Sequence, residues 1–373
     1  MTLAANKVLG LIFPNAHDGN VAGLTELRCL GSLPFGARYR MVDFTLSNFI
    51  NSDITDIGVV AQKNYQSLMD HIGTGKDWDL ARKHGGLTIL PPYGHSGFGY
   101  YTDRVHAIES VRGYILTQDA DTIVLADCDC VCSVDLRPAL EEHNTRGADI
   151  TILCTDSGGR ELPPDALFLT ADDAGRVTEL RTAPVGPTAK TVGMNIFIIR
   201  REVLLEGIHD LATRNMQDFN ADFLQASLGK LNVFACRFSG YTGFLSSRMA
   251  FFNVNMDLLS PVRHELFSSA RPIHTRVRDE APVIYGLGSL IRNSTVADGC
   301  YIDGEVENSI IFRGVHIAKG CHIRNCILMR GAVVGEGSTL DYVILDKNVT
   351  IGAGRHMQGC RTCPVYVDKG AKV

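Results

Sequence analysis

The sequence predicts an α/β protein in two parts: a Rossmann-like domain with a mostly parallel sheet, followed by a C-terminal left-handed parallel β-helix of hexapeptide repeats. Two periodicities predict it. Up to about residue 260, short β-rich runs alternate with stretches that carry apolar residues at helical spacing, the layout of a sheet covered on both faces. After Pro282, aliphatic residues recur six apart instead, which suits neither an amphipathic helix nor a hairpin but fits stacked coils of short strands. With 373 residues, 45% of them hydrophobic and 21% charged, the chain can furnish both cores and is excluded from the disordered class.

Residues 8–13, 56–60, 122–125, 150–154 and 195–199 read as strands, being apolar and β-branched with polar or turn-forming flanks. Residues 44–52, 64–72, 104–116 and 136–146 read as the helices between them. Such a sheet places ligands beyond the carboxyl ends of its strands, so chemistry is expected in the loops after Phe13 and Leu125. Prolines at 261, 272 and 282, with Arg263, Arg271, Arg276 and Arg278, mark residues 261–282 as a linker between domains at 1–260 and 283–373. In the second domain the repeat runs through Val296 and Ile302; Ile311, Ile317, Ile323 and Met329; Val334 and Leu340; then Leu345 and Ile351. A β-sandwich would show longer alternating strands.

A net charge of -5 leaves no overall basic footprint, so neither nucleic acid nor an anionic membrane is an expected partner. No run of eighteen apolar residues occurs and the first fourteen residues lack the features of a signal peptide, which predicts a cytoplasmic protein. Its eleven cysteines then read as thiols. Cys128, Cys130 and Cys132 alternate as one face of a strand, and Cys360 and Cys363 make a lone C-x-x-C that lacks the second pair a zinc site needs.

Specific motifs go further. Pro34-Phe35, Tyr39-Arg40, Asp43-Phe44, Leu46-Ser47-Asn48 and Asn51-Ser52 stand at the spacing of a segment found in bacterial glucose-1-phosphate adenylyltransferases, the ADP-glucose pyrophosphorylases of glycogen synthesis. The chain resembles that family further at Gln62, His71-Ile72-Gly73, Trp78-Asp79-Leu80, Leu90-Pro91-Pro92-Tyr93, Gly335-Glu336-Gly337, Leu340-Asp341-Tyr342 and Asp346-Lys347-Asn348. The resemblance implies a nucleotidyltransferase domain that joins ATP and glucose 1-phosphate, with Mg2+ held by two aspartates and lysines holding phosphates.

Those catalytic groups are largely replaced. The family's glycine-rich phosphate turn corresponds to Pro14-Asn15-Ala16-His17-Asp18-Gly19, where Pro14 removes a donor and Asp18 adds negative charge. The ATP-side lysine corresponds to Leu30, the sugar-phosphate lysine to Ala183 and its neighbouring glutamate to Thr182. Asp129 matches the first magnesium aspartate, leaving a weak residual metal position. The second corresponds to Phe244, which cannot ligate Mg2+. Gln62, Tyr101 and Gly193 remain as remnants of the substrate pocket.

No catalytic set is intact, no cofactor is required and Mg2+ is in doubt. The pattern resembles the GlgD-type subunits, which implies a catalytically deficient regulatory subunit in a hetero-tetramer with a catalytic paralogue. Arg28, Arg38 and Arg40 around the intact Pro34-Phe35-Gly36 turn form a candidate anion site for a phosphorylated effector. Three alternatives stay open at this level. One is a working adenylyltransferase with groups relocated to Lys7, Arg28, Arg104 or His106. Another is a glycosyltransferase using Asp127-Cys128-Asp129, and the last an acyltransferase using His316, His322 or His356.

Overall fold

The computed structural model describes residues 7–83, 85–92, 103–182 and 190–373. The six-residue apolar run Val8–Phe13 becomes the central strand, paired in parallel with Thr122–Asp127 on one side and Asp56–Val60 on the other. Gly31–Phe35 and the helix Met41–Asn51 cover one face. The helix comes close because Gly10 has no side chain, and a Cβ there would lie 2.5 Å from the Phe49 ring. The full sheet runs Val177–Thr182, Leu167–Ala171, Thr191–Arg200, Thr122–Asp127, Val8–Phe13, Asp56–Val60 and Gly86–Leu90, with Ile150–Asp156 also on Thr191–Arg200 and Val233–Arg237 beyond it.

This sheet corrects the expectation of a mostly parallel one. It is mixed, with four parallel strand pairings and four antiparallel ones. The cause lies between residues 150 and 200, where four strands follow one another with no helix among the described residues between them. Neighbouring strands joined without a crossover segment can pair only antiparallel. The long helix expected at 104–116 is two, Arg104–Ser110 and Arg112–Thr117, separated at Val111.

Several residues of the family-like segment serve as structural ties. Asn48 donates to the Cys132 carbonyl (3.2 Å) and accepts from the Val134 amide (3.0 Å). Ser47 accepts from the His274 amide (2.8 Å), and Asn51 donates to the Pro272 carbonyl (3.1 Å). They lay the stretch after the short helix Val262–Leu266 along Met41–Asn51.

Beyond it the chain winds into three parallel sheets of five short strands each. In the second and third sheets, Ile323 pairs with Leu340, and Ile311 with Leu328 and then Leu345. Ile302, Ile317, Ile323, Leu328, Val334, Leu340 and Leu345 fill the interior of the coil. Leu328, not the expected Met329, is therefore the interior residue; Met329 faces the first domain and joins its core. Ile310, Ile327 and Ile344 also point outward, into one hydrophobic cluster with Leu24, Leu33 and Phe252. The domains thus share a core. His316 and His322 lie on the outside of the coil, the first stacked on Tyr301 (4.7 Å between rings), the second 3.2 Å from Glu305. Among the described residues, no helix is long and apolar enough to cross a membrane.

Candidate functional site

Phe13 and Asp127 end adjacent parallel strands, so the loops after them meet at the carboxyl edge of the sheet, where such folds bind ligands. A cavity of about 490 Å³ lies there, lined by His17, Gln62, Arg104, Asp165, Thr182 and Asn195 among others. Gln62 lines this cavity, and its backbone amide donates to the Asn15 side chain (3.1 Å).

The loop that would cradle phosphates is folded onto itself. Asp18 is buried and accepts from the Leu30 amide (2.7 Å) and the Asn15 side chain (2.9 Å), while the Gly31 amide donates to the Pro14 carbonyl (2.9 Å). The loop's own amides turn inward as well, Asp18 to the Asn15 carbonyl (3.2 Å) and Asn20 to the His17 carbonyl (3.1 Å), so they are not aimed at a ligand. Leu30 itself is a core residue at 1% exposure. Gly193 pairs with Cys154 in the sheet, and the Leu167 side chain stands 3.5 Å from where a Cβ would lie. Tyr101 and Ala183 fall outside the described residues.

Asp129 is fully buried and holds a cluster together. Asn195 donates to its Oδ2 (2.8 Å), and His17 Nε2 lies 3.7 Å from Asp129 and 2.8 Å from Asp127. Arg104 pairs with Asp127 and is itself held over the rings of Phe13, Phe197 and Phe219 at 5.5, 5.6 and 5.1 Å. Burial pushes Asp129 up to about 6, opposed by His17 and reinforced by Asp127. Burial alone would depress the His17 imidazolium, but Asp129 and the contacts with Asp127 and Asp165 outweigh it and hold its pKa well above the usual value. Two carboxylates are thus faced by two cations built into the chain.

Phe244 occupies the place expected of a second carboxylate. Gly243–Phe244 pairs antiparallel with Cys130–Val131, and the Leu245 amide donates to the Asp129 carbonyl (2.8 Å). The backbone frame is kept, but the side chain at its centre is apolar and 3% exposed. The two-aspartate, all-oxygen clamp that Mg2+ demands does not fit these residues, because one ligand is missing and the other, Asp129, is already faced by His17 and Asn195. The four groups weighed as relocated substitutes are engaged too: Lys7 with Asp119, Arg28 with Asp346, Arg104 with Asp127 and His106 with Asp103.

Sequence reasoning singled out Asp129, Phe244 and Leu30 by motif position and gave no sign of the roles of His17, Asp165 and Asn195. Asn195 sits at φ +55° inside a strand, a kink that aims its amide at Asp129 and leaves no sequence signal beyond asparagine's tolerance of that region.

The basic triad divides. Arg38 and Arg40 line a second cavity, about 460 Å³, together with Arg276, Arg278, Arg313, Arg330 and Lys347, with Glu280 as the carboxylate of the lining. Arg28 does not join them. It is buried and paired at 2.5 Å with Asp346, which also accepts from the Tyr366 hydroxyl (2.7 Å), so its charge is neutralised inside the protein. Arg40 is not paired to Asp43 through its guanidinium, which donates to the Ser67 side chain (2.8 Å); Asp43 instead takes the Arg40 amide (2.9 Å) and His71 (2.6 Å).

Cations crowd this second cavity. Burial, then Arg40 and Arg28, push Lys347 down to about 7, and burial with Arg330, Arg276 and Arg313 lowers Arg278. A bound anion relieves that repulsion, and Lys347 contributes its charge only below about pH 7. Sulfate binding, measured by calorimetry, should therefore weaken by about fivefold between pH 6 and 8, and Lys347→Met should flatten the profile. A profile unchanged by that substitution would remove Lys347 from the site.

Comparison with known proteins agrees with the geometry. A family model described as nucleotidyl transferase matches residues 21–257, and one described as GlmU-like, C-terminal hexapeptide, matches residues 286–359. The chain is 31% identical to the "Glycogen biosynthesis protein GlgD" of Bacillus subtilis, over 86% of this chain and 83% of that one. It is 30% identical to the glucose-1-phosphate adenylyltransferase of Pseudothermotoga lettingae, over 84% and 75% of the two chains, and 31% identical to that of Thermotoga neapolitana, over 85% and 76%. A nucleotidyltransferase sheet that keeps Asp129 at its carboxyl edge, joined through a common core to a hexapeptide coil, makes this chain a member of the ADP-glucose pyrophosphorylase family of glycogen synthesis.

Proposed function

We propose that this chain is a catalytically deficient, regulatory subunit that assembles with a catalytic ADP-glucose pyrophosphorylase and modulates it. The observation that carries the reading is the pairing of Asp127 and Asp129 with His17 and Arg104, beside Phe244. The charges that would meet metal and phosphate are answered from within the chain. The seven-cation cavity between the domains supplies the regulatory half, since it spans Arg38 and Arg40 of the first domain and Arg313, Arg330 and Lys347 of the second. An anion held there by both domains would bias their arrangement.

The discriminating experiment measures ADP-glucose synthesis by the isolated chain and then with a catalytic paralogue added, with and without sugar phosphates. No turnover alone, with an altered effector response of the mixed complex, supports the proposal. Turnover alone comparable to an ordinary pyrophosphorylase would favour the second reading, an active enzyme with a rearranged site.

Assembly is expected to use the β-helix. Its first coil leaves Ile284, Tyr285, Leu287 and Leu290 exposed, Leu287 completely, as an unpaired apolar end. Tyr285→Asp with Leu287→Asp should weaken association with the catalytic paralogue at least about tenfold while leaving the thermal melt of the isolated chain in place. Unchanged co-purification would put the interface on the nucleotidyltransferase domain.

A further inference from the structure

The cluster at Asp129 holds more than an inherited aspartate. His17 reaches it from the loop after the strand Val8–Phe13, Asp127 from the end of the strand Thr122–Asp127, and Asp129 from the turn that follows. Both carboxyl groups keep a second oxygen, Oδ1, that is buried and has no hydrogen-bond partner among the described residues. The two side chains are 1% and 0% exposed. Orphaned carboxylate oxygens at that depth are rare without a ligand, because each gives up its hydration for nothing.

The three side chains can each offer one donor atom such that all lie within 4.8 Å of one another. Metal–ligand bonds of about 2.1 Å place neighbouring donors roughly 3.0–3.4 Å apart. His17 Nε2 lies 2.8 Å from Asp127 Oδ2 and 3.7 Å from Asp129 Oδ2, on either side of that range; these two oxygens also take Arg104 and Asn195, while each Oδ1 stays free among the described residues.

The surroundings are those of a metal-bound imidazole. Asp165 Oδ2 stands 3.0 Å from His17 Nδ1, the place of an outer partner for a metal-bound imidazole, and an incoming dication would displace the Nε2 proton that faces the two aspartates. Asn195 fixes Asp129 from outside. Two carboxylates and an imidazole form a mixed nitrogen–oxygen set, which suits zinc or cobalt better than magnesium. Arg104 is the opposing charge, since it pairs with Asp127 Oδ2, but it leaves Asp127 Oδ1 open.

We propose that His17, Asp127 and Asp129 form a binding site for a first-row transition-metal dication, with Asp165 and Asn195 as outer partners. This deepens the reading above, for it rests on the two-aspartate magnesium centre being lost, and it assigns the remaining carboxylates to a different ion. The bound ion would tie the loop 14–20 to the edge of the sheet.

The test uses the full chain carrying Cys360→Ser and Cys363→Ser, which removes the exposed thiols as a rival zinc site. Calorimetric titration should show one Zn2+ per chain, retained against a large excess of Mg2+. His17→Gln should weaken uptake more than a hundredfold, and Asp165→Asn by about ten- to a hundredfold. Co2+ bound to the His17-containing chain should show an absorption spectrum of nitrogen–oxygen ligation, which keeps the proposal testable if His17→Gln fails to fold. Absence of stoichiometric uptake, uptake unchanged in His17→Gln, or a Co2+ spectrum identical to that of the free aqueous ion would each overturn it. ADP-glucose formation by the Zn2+-loaded chain would sink the reading of catalytic deficiency and leave the metal site standing; no uptake would do the reverse.

Discussion

Purified alone and given saturating ATP, glucose 1-phosphate and Mg2+, the chain is expected to form ADP-glucose at least about ten-thousandfold more slowly than an ordinary family member. Each lost contact to the transferring phosphoryl group typically removes about 3–4 kcal/mol of transition-state stabilisation, and the sum is not additive, so the estimate takes less than two of them in full. Phe244→Asp restores a carboxylate beside Cys130 but not the phosphate lysines, and it leaves Arg104 and His17 on Asp127 and Asp129. It should raise turnover by less than about tenfold, the effect of a weak metal contact alone. A larger recovery from that single change, in a standard pyrophosphate-release assay, would show that Phe244 is the whole defect.

The largest effect on stability is expected at Arg28. Its pair with Asp346 is buried on both sides and connects positions 318 residues apart. Arg28→Ala leaves a buried carboxylate with no cation paired to it, met only by the Tyr366 hydroxyl (2.7 Å) and the Lys347 backbone amide (2.6 Å), a change that typically costs about 3–5 kcal/mol. Denaturant melts should show that loss, and the double variant Arg28→Met with Asp346→Asn should recover most of it by removing the stranded charge. If Arg28→Ala instead lowered sulfate affinity and left stability untouched, Arg28 would belong to the basic cavity after all.

Much of this architecture was legible because repetition amplifies weak signals. Ile311, Ile317 and Ile323 announce the coil through spacing alone, and their burial follows from it. The count failed at Met329 for a local reason. The corner between the second and third sheets carries Asn325 at φ +50° and Tyr342 at φ +53°, and a left-handed residue turns the chain in fewer steps. Successive turns of the later coil are therefore 17 residues apart, as Ile317 to Val334 and Leu328 to Leu345 show.

The sheet direction was misjudged because strands were recognised singly, while direction depends on what joins them. At the site, the substitutions at 30 and 244 were readable from motif positions, since a motif says which residue type belongs there. The His17 cluster was not, because its members come from residues 17, 127, 165 and 195 and meet only when the sheet is complete. Arg28 failed likewise: Asp346 is its neighbour in space and distant along the chain.

The bond network around Asp346 also dictates when the molecule can be finished during synthesis. Arg28, early in the chain, is neutralised by Asp346, and the Tyr366 hydroxyl, which donates to Asp346 (2.7 Å), stands beside the Gly23 carbonyl. The apolar surface around Leu24 and Leu33 is closed by Ile310, Ile327 and Ile344. A ribosome that has emitted only the first 260 residues therefore holds a sheet with one flank still open to water, and vectorial folding must wait for the coil to emerge. Nascent chains arrested near residue 280 should be cut readily by protease between residues 20 and 35, and chains extended past Val367 should not.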